Sequence, residues 1–399
     1  MLVCAGASLA QHVTTVDKLP AAVNGFYASR TQTQLPCEVT PAKPALNFGF
    51  RFQAGYVLRT SLDLYQGGGK HHWYIVFRVT PEENPGEPVY FLDSIDLPAD
   101  PQPGLIAVTS GAFFVGQGRY DVKWSLLDDL GRVCRQAWAL DARLSGKERS
   151  ATVLMPASSA GDYSWHPATV APVVSGKHPR RITILLNAAL PVARKDAGTA
   201  VSQWGTLLSM LASLLERMRA DTVRLVVFNL DQQRELFRQE AFTAREMDRV
   251  AHLADGTERW AVDYHVLLKP LGGWDLLSDL ESKEMHATAP SDTVIFLGLP
   301  QSSAVGMPPG MPEPGRGPRF LYLKYWPAKP VLPPVRTTLK GYGGGRFPGE
   351  STLPSLPSRS DQPDPIEESV NHLNGKTFAI SSPAMFNKAI VNVERTKGR

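Results

Sequence analysis

The sequence predicts a multidomain chain: an N-terminal antiparallel, immunoglobulin-like β-sandwich followed by an α/β doubly wound, Rossmann-like domain. Three observations carry this. Over residues 36–155, short stretches alternate apolar and polar side chains and are separated by turn residues. Beyond residue 180 the pattern changes to apolar strands interleaved with amphipathic helices. Between them, residues 156–180 are rich in Pro, Ser, Gly and His and read as a linker. Short alternating strands with regular turns indicate an antiparallel sandwich, and strands alternating with helices indicate a parallel sheet. A length of 399 residues also favours two domains over one.

In the first domain Leu46–Phe52 alternates strictly, and Tyr56–Leu62 follows. Trp73–Val79 is rich in aromatic and β-branched side chains, which favour strands. Val89–Leu92, Gly118–Leu127 and Cys134–Leu140 continue the series. Gly67-Gly68-Gly69, Pro85-Gly86 and Asp129-Leu130-Gly131 supply turns, and Gly131 permits positive φ at a hairpin tip. No helix is predicted there.

In the second domain Arg181–Leu186 reads as a buried parallel strand. Thr199–Arg219 is an amphipathic helix, with Trp204, Leu207, Leu208, Leu211, Leu214, Leu215 and Met218 at three- and four-residue spacing. Val223–Phe228 is a strand, and Gln233–Gln239 is a candidate hairpin partner for it. Thr243 opens a short helix through Leu253, with Glu246 completing a capping box. Trp274–Met285 is helical, and Thr293–Leu297 and Phe320–Trp326 are strands. Pro365 starts a helix through Leu373, which Gly375 ends. Lys376–Ile380 is a strand and Pro383–Glu394 a final helix. From Val305 to Pro365 the chain holds 14 prolines and many glycines, too many for a packed core. Two Pro/Gly-rich insertions, at about 301–319 and 327–365, are therefore expected around the Phe320 strand.

The start, Met1 to Ala10, is apolar and small, with Ser8 and Ala10 in a small-x-small pattern before Gln11. It reads as a signal-peptide remnant, which implies export to the periplasm or the extracellular space. No run of 18 uncharged apolar residues follows, so no transmembrane span is expected. In an exported chain Cys37 and Cys134 are candidates for a disulfide, and a pair of unbonded buried thiols is the alternative. A net charge of +4 without a clustered basic tract argues against nucleic acid as a partner.

Familiar catalytic patterns are absent. There is no Gly-x-Ser-x-Gly, His-Glu-x-x-His or Cys-x-x-Cys. Gly67–His72 lacks the hydroxyl residue and the following helix of a phosphate loop. Glu281, Glu284, Glu367 and Glu368 read as solvated helix faces. Trp73 and Trp326 stand next to a second aromatic on their strands, so they are candidate exposed aromatic contacts for a sugar or a protein.

The carboxyl end of the first parallel strand is where open α/β sheets place their chemistry. Here it reads Asn187-Ala188-Ala189-Leu190-Pro191. The run of elements from Arg181–Leu186 through Thr199–Arg219, Val223–Phe228 and Thr293–Leu297 to Pro365–Glu394 resembles a von Willebrand factor type A domain. More narrowly, it is similar to the bacterial, export-associated VWFA-related group. The resemblance implies a cation site built from Asp-x-Ser-x-Ser after the first strand, the metal-ion-dependent adhesion site. Aligned by position, this chain offers Asn187, Ala189 and Pro191, a degenerate set with one side-chain oxygen, and Gly298 follows Leu297 where the family often has an acid. No metal and no cofactor is therefore expected. The function this implies is an exported, non-catalytic scaffold that binds a protein partner at the carboxyl edge of the sheet. Binding of an envelope glycan by the sandwich and an unrecognised hydrolase are the alternatives.

Overall fold

The computed structural model describes residues 12–15, 18–20, 23, 33–163, 180–189, 197–253, 266, 268–269, 271–303, 305–315, 317–327 and 362–395. The leader expected at 1–10, Pro191, most of the 156–180 linker and most of the 327–365 insertion lie outside the described residues. The described residues divide into two compact units, one ending at residue 163 and one beginning at residue 180. The protein is mostly β-sheet, in several sheets, with some helices. No helix among the described residues is long and apolar enough to cross a membrane.

The first unit contains strands β1 (His12–Thr14), β2 (Thr33–Gln34), β3 (Glu38–Leu46), β4 (Phe52–Ser61), β5 (His72–Pro81), β6 (Val89–Asp96), β7 (Ile106–Val115), β8 (Gly118–Asp128), β9 (Arg132–Ala142) and β10 (Ala160–Asp162). They form two sheets, ordered β1-β6-β5-β8-β9-β2 and β10-β7-β4-β3. The inward members of each alternation meet as rings. Tyr56 of β4 lies 5.8 Å from Phe77 of β5 and 5.3 Å from Trp124 of β8. Phe113 of β7 lies 5.2 Å from Phe77 and 5.4 Å from Phe91 of β6. Each buried aromatic ring contributes a large apolar area to this core.

Three expectations for this unit are corrected. Leu46–Phe52 is not one strand. Asn47 accepts the Phe50 amide on its carbonyl and the Arg51 amide on its side chain, both at 3.0 Å, and Phe50 has a φ of 51°. That local side-chain bond turns the chain between β3 and β4. β7, which the alternation did not single out, pairs with β4 along its whole length. A Cβ on Gly55 would stand 2.2 Å from the Gly111 carbonyl oxygen across this ladder, so the close approach requires glycine there. Finally, residues 160–162 of the expected linker form β10 on the free side of β7. At the opposite edge of that sheet, β3 carries Pro41 and Pro44, which suit an unpaired edge.

The second unit contains β11 (Arg181–Asn187), α1 (Ala197–Arg217), β12 (Thr222–Asn229), β13 (Arg234–Gln239), α2 (Met247–His252), α3 (Gly272–Met285), β14 (Thr293–Gly298), β15 (Arg319–Tyr325), α4 (Pro365–His372), β16 (Lys376–Ile380) and α5 (Pro383–Arg395). The sheet order is β13-β12-β11-β14-β15-β16. β13 is antiparallel to β12, and every other neighbouring pair is parallel. β11 sits centrally, with Ile184 between Leu225 and Ile295, so it is apolar on both faces. Thr243 and Glu246 form the expected reciprocal cap. No helix joins β14 to β15 among the described residues, as the prolines there dictate. That Pro-rich crossover nevertheless packs: Met311 is buried in the core beside Leu277, Phe296 and Phe320. Excluding the whole 301–319 insertion from the core was therefore wrong.

Glu281 and Glu284 are also not on a solvated face; both are fully buried. Glu284 accepts from Arg224 at 2.6 Å, Thr183 at 2.7 Å and Arg238 at 3.4 Å. This charged cluster fastens α3 to the amino-end half of the sheet, opposite the end where a site would be sought. Glu281 accepts a hydrogen bond from Ser369 of α4, and its second oxygen has no partner among the described residues. Burial pushes its carboxyl up to about 7 against the opposing effect of the Ser369 bond.

Candidate functional site

Parallel strands β11, β12, β14, β15 and β16 all end on one side of the sheet, and α3, α4 and α5 begin there. That carboxyl end is the place to look for chemistry. Asn187 closes β11 and is fully buried. Its Oδ1 accepts the amides of Ala189 at 3.1 Å and Leu230 at 3.2 Å. Two donors converging on one oxygen fix which way the amide points. The Nδ2 is left without an acceptor among the described residues. Gly298, at the end of β14, lies so close that a Cβ there would stand 3.0 Å from the Asn187 Cβ. Asn187 therefore braces the ends of β11 and β12. Ala189 is also buried and belongs to the apolar core.

A divalent cation needs several oxygen ligands. Here Asn187 has committed its only side-chain oxygen to two amides, and the Ala189 side chain has no oxygen to offer. The residues present do not fit such an ion. Among the described residues no group of three or more His, Cys, Asp or Glu is arranged to hold a metal. Asn187 and Ala189 were also expected at a candidate interface, and burial rules out direct contact there.

Next to them lies a polar cluster that the sequence did not announce. Gln301 donates from Nε2 to the Ala189 carbonyl at 2.9 Å, and from its backbone amide to Asp364 at 3.2 Å. Asp364 caps α4, accepting from the amides of Ile366 at 3.1 Å and Glu367 at 3.4 Å. The Tyr322 hydroxyl donates to the Leu299 carbonyl at 3.0 Å and reaches Asp364 at 3.4 Å. Lys324 pairs with Asp364 at 3.0 Å and Glu367 at 2.7 Å. Burial opposes the Lys324 charge, but the two carboxylates outweigh it and hold its pKa above the ordinary lysine value. Burial, reinforced by the Asp364 charge, raises the Tyr322 hydroxyl well above the usual tyrosine range. Each group is used by another, so the cluster is built to hold β15, α4 and the 299–303 turn together. Two signals could have revealed it. Lys324 is the one charge within the apolar run Phe320–Trp326, which implies a buried partner, and Asp364-Pro365 is a cap followed by a first-turn proline.

Around this cluster the surface changes character. Leu268 and Leu271 precede α3, and Val305 and Met307 follow β14. Trp326 follows β15, and Met385 is in the first turn of α5. These six are the exposed large apolar residues of the second unit among those described, and all lie near the carboxyl end of the sheet. Trp326 is 48% exposed; its amide donates to the Ile380 carbonyl at 2.7 Å and its ring lies 5.2 Å from the Lys324 ammonium. The Val305 carbonyl accepts from the buried Trp274 indole at 3.0 Å. Trp326 and Val305 are thus held in place by hydrogen bonds of their backbone.

In the first unit, Trp73 is fully buried, which corrects its expected role as an exposed contact. Its indole donates to the Tyr65 hydroxyl at 2.8 Å, which donates to the buried Asp128 at 2.9 Å. Inward alternation next to Tyr65 leaves no face for a sugar. Cys37 and Cys134 are joined by a disulfide, with Cα atoms 6.2 Å apart.

No family model matches the chain, and no curated protein matches it. Matching solved structures include a Bordetella pertussis chain described as an ApaA protein, with TM-score 0.18 and 9% identity, covering 29% of this chain and 100% of that one. A lipoprotein from Bacteroides thetaiotaomicron matches with TM-score 0.13 and 9% identity, over 31% of this chain and 93% of its own. A calcium-binding mutant of β-glucuronidase 2 from Bacteroides uniformis matches with TM-score 0.19 and 8% identity, over 72% of this chain and 36% of that one. Likeness at this level carries no weight for fold or function.

Proposed function

We propose that this chain is an exported, non-catalytic scaffold that binds a protein partner. In this reading the first unit is an immunoglobulin-like sandwich, and the second is a von Willebrand factor type A-like domain without a working cation site. The single observation that carries the function is the gathering of exposed apolar side chains near the carboxyl end of the parallel sheet, above a polar cluster whose groups are already paired. Contiguous exposed apolar groups rimmed by polar ones mark interaction surfaces. An exposed Trp and Met are typical anchors of such contacts. The domain assignment draws support from the central position of β11, the antiparallel edge strand β13 and the order of the remaining strands. Export draws support from the Cys37–Cys134 bond, since disulfides persist in oxidising compartments.

The test places a photo-crosslinking side chain at Trp326 or Met307 in the producing cells, with exposed Lys147 of the first unit as control. The expected result is a discrete adduct from the two rim positions, lost when Met385→Asp is added. Equal adducts from Lys147, or none from either rim position, would overturn the reading.

A further inference from the structure

Among the described residues the methionines divide sharply by exposure. Met210, Met218, Met247 and Met311 are buried in the second unit, and Met155 and Met285 are half-buried. Met307 and Met385 are 38% and 40% exposed, and they are the two exposed methionines among the described residues. Both stand near the carboxyl end of the parallel sheet, within the group of exposed apolar side chains there. Met307 and Met311 belong to one Pro-rich crossover, yet Met311 packs in the core while Met307 meets solvent.

A thioether is oxidised to a sulfoxide, which turns a flexible apolar side chain into a polar one. Access to solvent decides which sulfur reacts. The two cysteines among the described residues are bonded to each other, so neither competes as a free thiol. With hydrogen peroxide as oxidant, a sulfur lone pair attacks one peroxide oxygen. An S–O bond forms, the O–O bond breaks, and the second oxygen leaves as water with both protons. Sulfur is oxidised by two electrons and the peroxide is reduced by two. Met385 has a further feature: the Ser381 hydroxyl donates to its sulfur at 3.2 Å. A thioether is a weak acceptor, and its second lone pair stays open to the oxidant. A sulfoxide oxygen on that sulfur is a far stronger acceptor, so the same hydroxyl is in place to hold the product.

We propose that Met307 and Met385 form a peroxide-sensitive switch on the carboxyl-end surface, whose oxidation to sulfoxides releases the bound partner. The switch rests on the docking role proposed above for that surface. Burying either sulfoxide against an apolar partner strips water from it at a cost, and at Met385 the bond from Ser381 favours the undocked side chain. Reduction by a thiol-dependent sulfoxide reductase reverses the change: the oxygen leaves as water and two thiols become a disulfide. Met311, shielded in the core of the same crossover, is spared, so oxidation alters the surface and leaves the packing beneath it intact.

The test treats the producing cells with dilute hydrogen peroxide and reads two quantities: peptide masses of the full chain, and the adduct from a photo-crosslinking side chain at Trp326. Met307 and Met385 are expected to gain about 16 Da, one oxygen each, before Met155 or Met285 does. The adduct should then fall about tenfold, the loss expected for burying one unpaired polar group. A double variant, Met307→Leu with Met385→Leu, keeps the apolar volume and has no sulfur there, so its adduct should survive peroxide. Oxidation of Met155 or Met285 as fast as of the exposed pair, an adduct indifferent to their oxidation, or an equal loss in the double variant would each overturn the switch. No adduct before peroxide would sink the docking reading and the switch with it, while the peptide masses still decide whether these two sulfurs are the reactive pair.

Discussion

Replacing Glu281 by Gln should leave the second unit unchanged at pH 4 and stabilise it at pH 8. Glu281 is fully buried between α3 and α4, with Ser369 its one hydrogen-bond partner among the described residues. Its carboxyl is raised from 4.5 to about 7, chiefly by burial. Below 4.5 the folded and unfolded chains both keep the proton, and the stability it accompanies is fully present. Between 4.5 and about 7 the unfolded chain releases the proton while the folded one retains it. Stability then falls by about 1.4 kcal/mol per pH unit. Above about 7 both are ionised and the fall stops. The total is about 3 kcal/mol over that window. Gln keeps an acceptor for Ser369 and has no proton to lose, so the variant escapes the fall. Other groups titrate too. Glu246, for example, is lowered by its bond from Gln239 and acts in the opposite sense, losing stability as pH falls. Such effects are common to both proteins and cancel in the difference. Hydrogen exchange of peptides from α3 and α4 reads this unit separately from the first. A difference between variant and wild type that stays flat from pH 4.5 to 7, or a Gln variant less stable at pH 8, would refute the reasoning.

Two further outcomes are expected. Cys37→Ser with Cys134→Ser removes a bond spanning 97 residues, which should cost the first unit about 2–5 kcal/mol in urea unfolding, and a reducing agent should reproduce the loss; an unchanged midpoint would count against it. Asp364→Ala removes the α4 cap and the acceptor for the Gln301 amide, while Glu367 still pairs Lys324, so a loss of about 2–3 kcal/mol is expected in thermal or urea melts. Asp364→Asn keeps a capping oxygen and should lose less; equal losses for the two variants would show that the cap is not what matters.

How much of this was legible beforehand differs from element to element. Strands such as Arg181–Asn187 and Thr293–Gly298 are short and mostly apolar, and a helix such as Ala197–Arg217 repeats its apolar side chains at helical spacing. Those periodicities are local, so the sequence alone established the strand–helix alternation, the cap at Thr243, the helix start at Pro365, and the apolar core. The turn at Asn47, by contrast, looked like one more alternating residue, because a side chain bonding its own backbone leaves no periodic trace. β7 was missed because its Gly111 and small residues dilute the pattern, and only its pairing with β4 makes it a strand.

The candidate site was legible only in part. The sequence determined that the carboxyl end of β11 offers one amide at Asn187 and one methyl group at Ala189, a poor side-chain set for a cation. Whether a polar side chain is exposed, paired or orphaned depends on partners far along the chain. Lys324 meets Asp364 and Glu367, Glu281 meets Ser369, and Trp73 turns inward to Tyr65. Tertiary structure alone decided these, because burial and hydrogen bonding act between neighbours in space and carry no fixed separation in sequence.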